Sequence, residues 1–319
     1  MSLNVLQDLS VIDLGFSFTK GKRGNIKFLQ PSVAGEPQDV FKQDIKPNHF
    51  LLNDELFIGD LAQSHSEIKY FTLKNNKSEA MTSEVILKTA LGYLNRSKPF
   101  NLVTGLPILF YFNQLEDMEN LIGSLSDQST YSIKKGNQSF NNIRMNINKF
   151  NIYPQGYGIA MSHLLNKNGD IINKHIAKKK VLVIDLGFYT LNLLGLEKLE
   201  IMKESTSIIL GVEKAYKLLR KYLIEKVGSA PSIYEMDKCV RSGVYEGFKI
   251  QPLIEKAFRV LAIQIQNEIE SLNIKFDYYF IGGGAAHRIF NILQLQNKIL
   301  FDQLAQIEGY ENAGVRQWR

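Results

Sequence analysis

One five-residue pattern occurs twice in this chain and constrains its fold more than any other feature. Val11-Ile12-Asp13-Leu14-Gly15 stands near the start, and Val183-Ile184-Asp185-Leu186-Gly187 stands in the second half. Each copy reads as a buried, near-continuous apolar strand that delivers a carboxylate at its end and then turns tightly on glycine. Two copies about one domain apart point to an internal duplication. Each half is expected to aim its carboxylate and the turn's backbone N–H groups into a shared cleft.

Composition narrows the class. The 319 residues are 45% hydrophobic, 22% charged and 11% aromatic, which supplies ample core for two domains and excludes a disordered chain. No apolar run approaches the roughly 18 residues that span a bilayer, and no signal-peptide pattern opens the sequence. The lone Cys239 excludes an intramolecular disulfide and fits a reducing compartment, so a cytoplasmic location is expected. Histidines 49, 65, 163, 175 and 287 show no ligand spacing, which argues against zinc. The net charge of +6 permits an acidic partner, but the Lys178-Lys179-Lys180 run reads as a solvated loop. Neither direct sequence-specific nucleic-acid contact nor membrane association is expected.

Periodicity places the elements. The first pattern leads into a hairpin turning on Arg23-Gly24-Asn25, and a second short hairpin turns on Asn53-Asp54. Helical spacing covers 79–95, followed by a strand over 101–107 that ends at Gly105-Leu106-Pro107, and a helix over 112–124. Residues 130–152 alternate as a β-hairpin around Gly136-Asn137, and Pro154-Gln155-Gly156 opens a helix to about 166. The second half repeats the plan. A strand over 181–186 precedes strands near 190–196 and 199–204, then a helix over 212–226 and a Ser232-capped short helix. A long amphipathic helix over 252–272 and a strand over 278–281 end at Gly282-Gly283-Gly284. Strands alternating with helices give an α/β fold.

The repeated turns suit nucleotide phosphates, which need backbone N–H donors, a cation and a metal-holding carboxylate. In the first copy the Gly15-Phe16-Ser17 turn brings backbone close to a phosphate. Ser17 and Thr19 add hydroxyls, and Lys20 supplies a cation. Asp13 suits an Mg²⁺ shell through water. The second copy offers Asp185, then Gly187, Phe188, Tyr189 and Thr190. Three consecutive glycines are costly in chain entropy, so a ligand or a tight crossing is expected at 282–284.

These motifs resemble the actin–Hsp70–sugar kinase superfamily, and within it the actin-like proteins of the ParM/StbA type. Asp13-Leu14-Gly15 with Lys20 resembles the first phosphate motif, Asp185-Leu186-Gly187 with Thr190 the second, and Ile281 to Ala285 the adenosine motif. Pro154-Gln155-Gly156-x-Gly158 and Asn312-Ala313-Gly314 resemble the two connecting helices, and Thr104 to Pro107 a segment of the N-terminal domain. The resemblance implies an actin-like ATPase fold, with two RNase H-like domains around a nucleotide cleft. Domain I would span 1–160 with a return at about 305–319, and domain II 161–304. It implies ATP or GTP with Mg²⁺ held through water by Asp13 and Asp185. It further implies a water-positioning role for Gln155, filaments of the chain itself, and plasmid or DNA segregation through a DNA-bound adaptor. Gly211, Glu213, Lys214, Asp237 and Lys238 would flank the base.

Two departures touch the rate of hydrolysis. Large residues, Phe188 and Tyr189, follow Gly187 and would narrow the turn, and Asn192 stands where the family carries an aspartate. A small-molecule kinase on the same fold and a non-hydrolysing scaffold therefore stay open beside the filament-forming ATPase. The kinase needs a carboxylate base facing the γ-phosphate, which Gln155 does not supply.

Overall fold

The computed structural model describes residues 6–71, 81–127, 129–233 and 235–319. The chain divides into two compact units: Met1–Asn173 with Leu304–Arg319, and Lys174–Gln303.

Unit 1 is built on a mixed sheet of β1 (Leu9–Leu14), β2 (Phe18–Arg23), β3 (Ile26–Pro31), β4 (Phe100–Leu106) and β5 (Ile147–Pro154). The spatial order is β3-β2-β1-β4-β5. β1 runs antiparallel to β2 and parallel to β4. Every residue of β1 is buried because both faces are covered. Ile12 and Leu14 join the core with Ile86, Leu87, Ala90 and Leu91 of α1 (Met81–Asn95). Leu9 and Val11 face the other way, and Asp13 shares their side by the strand's two-residue period.

The rest of unit 1 corrects two expectations, the bounds of one helix and the pairing of residues 130–152. Of the helix expected over 79–95, residues 79 and 80 lie outside the described residues. The helix expected over 112–124 is α2 (Ile108–Asp127), which starts directly after Pro107 and kinks at Gln114 (φ −132°, ψ 17°). Residues 130–152 are not one hairpin. Tyr131–Lys135 and Gln138–Ile143 turn on Gly136 and pair in a second sheet, whereas β5 leaves to run parallel to β4. Alternation is the same in either partnership, so pattern does not choose the partner. The helix after Gln155 is α3 (Tyr157–Leu164).

Unit 2 repeats the sheet. Its strands are β6 (Lys180–Leu186), β7 (Leu191–Glu197), β8 (Glu200–Ile201), β9 (Thr206–Ile208), β10 (Tyr278–Gly283) and β11 (Lys298–Leu300). The order β8-β7-β6-β10-β11 matches β3-β2-β1-β4-β5, with β9 also on β7. β6 runs antiparallel to β7 and parallel to β10, as β1 does to β2 and β4. Of the strand expected over 199–204 only Glu200–Ile201 forms as β8, and β9 follows beyond that range; both pair with β7. Leu182, Ile184 and Leu186 pack against α4 (Val212–Val227) and α6 (Gln251–Ser271). Between them lies α5 (Met236–Ser242). Tyr234, expected on that short helix, lies outside the described residues. Ser232 and Glu235 form a reciprocal capping pair just before α5: the Glu235 N–H donates to Ser232 Oγ (3.3 Å), and the Ser232 N–H donates to Glu235 Oε2 (3.1 Å).

The C-terminal α7 (Ala305–Trp318) returns to unit 1, where Ile307, Tyr310 and Val315 cover Leu9, Val11 and Val103. The resemblance assigns Asn312 to Gly314 to a connecting helix, and the stretch from Gly309 to Gly314 is helical. Its glycines permit close crossing. A Cβ on Gly309 would sit 1.6 Å from the carbonyl oxygen of Gly158 in α3, and one on Gly158 would sit 2.2 Å from that of Gln306.

Candidate nucleotide site residues in each unit

Asp13 is the fifth residue of β1 and faces Lys20 across the antiparallel ladder. The Lys20 ammonium donates to Asp13 Oδ2 (3.2 Å), and the Gln155 amide donates to Asp13 Oδ1 (3.1 Å). The Asp13 side chain is only 9% exposed and that of Lys20 15%, so the charge pair is largely removed from water. Gln155 follows β5 and precedes α3. Its backbone N–H donates to Leu106 O (2.7 Å), which ties the glutamine to the end of β4. Three sequence-predicted residues, 142 positions apart at the extreme, thus meet at one carboxylate.

The turn from β1 to β2 is tight because Gly15 has no side chain: a Cβ there would lie 2.4 Å from Phe18 O. Phe16 packs edge-on to Phe110, with ring centroids 6.2 Å apart. Ser32, which the sequence reading passed over, anchors this turn. Its hydroxyl donates to Gly15 O (2.6 Å), and its N–H donates to Ser17 O (2.8 Å). Thr19 departs from expectation. It is fully buried, with its hydroxyl 2.9 Å from that of Ser32. Because side chains alternate along β2, Thr19 points away from the face that carries Lys20.

In unit 2, Asp185 occupies the matching place on β6. Its ladder partner on β7 is Asn192, whose amide donates to Asp185 Oδ2 (3.2 Å). Its neighbour on β10 is Gly282, and Leu186 neighbours Gly283. The triple glycine therefore lies directly beside the second carboxylate. Gly283 takes φ +99°, and a Cβ there would strike Leu186 O at 2.2 Å, whereas Gly284 is exposed with open space around it.

The Gly187 turn closes through its N–H to Thr190 O (2.9 Å). Phe188 and Tyr189 do not fill it. Their rings pack edge-on to each other at 4.8 Å, and Phe188 packs on Tyr216 of α4 at 5.9 Å. The turn's carbonyls also cap α4: Gly187 O accepts from Val212 N–H (3.1 Å) and Phe188 O from Glu213 N–H (2.9 Å). Gly211 is required for that approach, since a Cβ would lie 2.2 Å from Phe188 O. The Glu213 carboxylate pairs with Lys217 (3.1 Å). Asp237 accepts from the Tyr216 hydroxyl (2.9 Å), and burial together with that carboxylate pushes the Tyr216 phenol's pKa upward. These contacts tie α4 to α5, while Lys214 and Lys238 lie exposed.

Among the described residues no group of three or more His, Cys, Asp or Glu could enclose a metal. Each unit offers one strand-end carboxylate, Asp13 or Asp185, of the kind a hydrated Mg²⁺ would take beside phosphates and waters. The same residues include no helix long and apolar enough to cross a membrane.

Residues 11–158 match the family model for the N-terminal domain of actin-like proteins. The fold is actin-like. The actin-like architecture is shared with a 15-stranded ParM filament from Clostridium botulinum (23% identity, 96% of this chain and 98% of that one, TM-score 0.78). It is shared with an archaeal actin homologue in complex with ADP (17% identity, 97% and 99%, TM-score 0.72). Bacillus thuringiensis ParM with ATP matches at 15% identity over 97% and 98%, with TM-score 0.63. No curated protein sequence matches the chain.

Proposed function

We propose that this actin-like chain binds ATP (or GTP) with Mg²⁺, hydrolyses it slowly, and assembles with itself into nucleotide-dependent filaments. In this reading it is a cytoplasmic plasmid-partition protein of the ParM/StbA type that moves DNA through a DNA-bound adaptor. The observation that carries the reading is the buried Asp13 carboxylate, which accepts hydrogen bonds from both Lys20 and Gln155. One fold-sharing structure is a filament, one holds ADP and one holds ATP, which supports both halves of the reading.

Asp13 and Asp185 would hold the metal through water. The Gly15–Ser17 and Gly187–Thr190 turns would offer N–H groups to phosphate, and Gly282–Gly284 would admit the nucleoside. Bound Mg²⁺ would neutralise phosphate charge during transfer. Gln155 carries a neutral amide, which orients a water without a shifted pKa, and its bond to Asp13 fixes where that amide sits. Gln155→Ala is expected to lower phosphate release by about tenfold or more, because the attacking water loses its guide and Asp13 loses the amide that holds it.

Negative-stain microscopy of the purified chain with ATP, ADP or no nucleotide tests assembly. Filaments that require ATP are expected; none under all three conditions overturns the reading. ATP-dependent filaments without phosphate release would make the chain a non-hydrolysing scaffold instead.

A further inference from the structure

Asp185, Asn192 and Ser207 stand on one cross-strand row. Asp185 faces Asn192 between β6 and β7, and Asn192 faces Ser207 between β7 and β9. Residues directly opposite in a ladder share a face. The row is connected: the Ser207 hydroxyl donates to Asn192 Oδ1 (2.6 Å), and Asn192 Nδ2 donates to Asp185 Oδ2 (3.2 Å). Asn192 is 1% exposed, so water does not compete for its amide.

The direction of this chain follows from chemistry. An ionised carboxylate only accepts, so the NH₂ end of Asn192 must face Asp185 and its carbonyl must face the serine. A hydroxyl donating at that carbonyl opposes the flipped amide and polarises the N–H that reaches the carboxylate. The matching row of unit 1 is built differently. There the residue facing Asp13 is Lys20, a cation, and the next strand contributes Leu29. One half of the duplication thus sets a cation opposite its carboxylate, and the other sets a neutral amide held by a hydroxyl.

We infer that Asn192 and Ser207 are positioning residues that orient the Asp185 carboxylate toward a divalent cation, so that the metal dependence of nucleotide binding is set in this row. The inference rests on the nucleotide site proposed above. Ser207 touches neither phosphate nor metal in this account; it acts only through Asn192. Its removal changes the contribution of the metal, not the nucleotide's other contacts.

The test is titration of a fluorescent ATP analogue into the full chain, once in MgCl₂ and once in EDTA, read as the ratio of the two affinities. Ser207→Ala is expected to lower that ratio by about threefold to tenfold, the size of one lost hydrogen bond, and to leave binding in EDTA unchanged. Ser207→Thr, which keeps the hydroxyl, should restore the ratio to within about twofold. Asn192→Leu should lower it at least as much, and adding Ser207→Ala to it should cost nothing further, because the serine has then lost its target. An unchanged ratio in Ser207→Ala, an equal fall in MgCl₂ and EDTA, or full additivity with Asn192→Leu overturns the inference while leaving the nucleotide site standing. A parent chain that binds no analogue in either buffer overturns the site itself, and the inference with it.

Discussion

At the scale of single residues, the two strand-end carboxylates are held by opposite means. Asp13 sits in a largely buried ion pair, so Lys20→Met would leave a carboxylate supported by the Gln155 amide. The expected cost is about 1–3 kcal/mol of unit 1 stability, read by urea denaturation. A second residue-scale prediction concerns pH. His49 is buried, accepts the Lys46 N–H at Nδ1 (3.2 Å), and lies edge-on to His65 with centroids 5.8 Å apart. Desolvation, then His65 and Lys46, hold its pKa below the ordinary value, against a smaller opposing pull from Asp60. Burial acts in the same direction on His163 and His287. Below the unfolded value of about 6.5, the unfolded chain takes up protons that the folded chain resists. Stability is therefore full above that pH and falls as pH drops through it toward the lower folded values. Denaturation midpoints at pH 7.5 and 5.5 check the sign, and His49→Gln should flatten the slope.

At the scale of elements, glycines with different surroundings separate two effects. Gly309 lets α7 cross α3 where a Cβ would meet the Gly158 carbonyl at 1.6 Å. Gly309→Ala should destabilise by about 1–3 kcal/mol or more, since backbone must move to admit the methyl. Gly123 lies within α2 and a Cβ there would meet nothing within 4 Å. Gly123→Ala should stabilise by about 0.5–1 kcal/mol through helix propensity and a less flexible unfolded chain. Thermal melting of the two variants beside the parent distinguishes the cases. Gly105 belongs with Gly309: its missing side chain makes room for the buried Tyr310 of α7, whose hydroxyl receives the Gln306 amide (2.7 Å). The Thr104 to Pro107 segment is thus a packing motif within unit 1.

At the scale of the whole chain, each unit has its own core and its own copy of the sheet. A ligand that binds only the folded chain raises its stability by mass action, about 2.7 kcal/mol at a concentration one hundred times the dissociation constant. Melting temperature should therefore rise most with ATP and MgCl₂ together, less with ATP in EDTA, and not at all with MgCl₂ alone. An equal rise with MgCl₂ alone would point to a metal site independent of nucleotide.

Much of this protein was legible in its sequence because the relevant signals are local. A run such as Val-Leu-Val-Ile reads as a buried strand wherever it occurs, and the repeated Asp-Leu-Gly marked the same strand in both sheets. The amphipathic stripe of Ala257, Leu261, Ile265 and Ile269 marked α6 for the same reason. What the sequence left open was pairing and orientation, which depend on residues far apart along the chain. Alternation could not send β5 to β4, because the pattern is identical for either neighbour. It could not turn Thr19 inward to Ser32, nor bring Gln155 to Asp13 across 142 positions. Nor could it place Ser207 behind Asn192, since that row exists only once β7 has both its partners. Local chemistry chose the elements and the carboxylates; burial and strand register chose which donors those carboxylates receive.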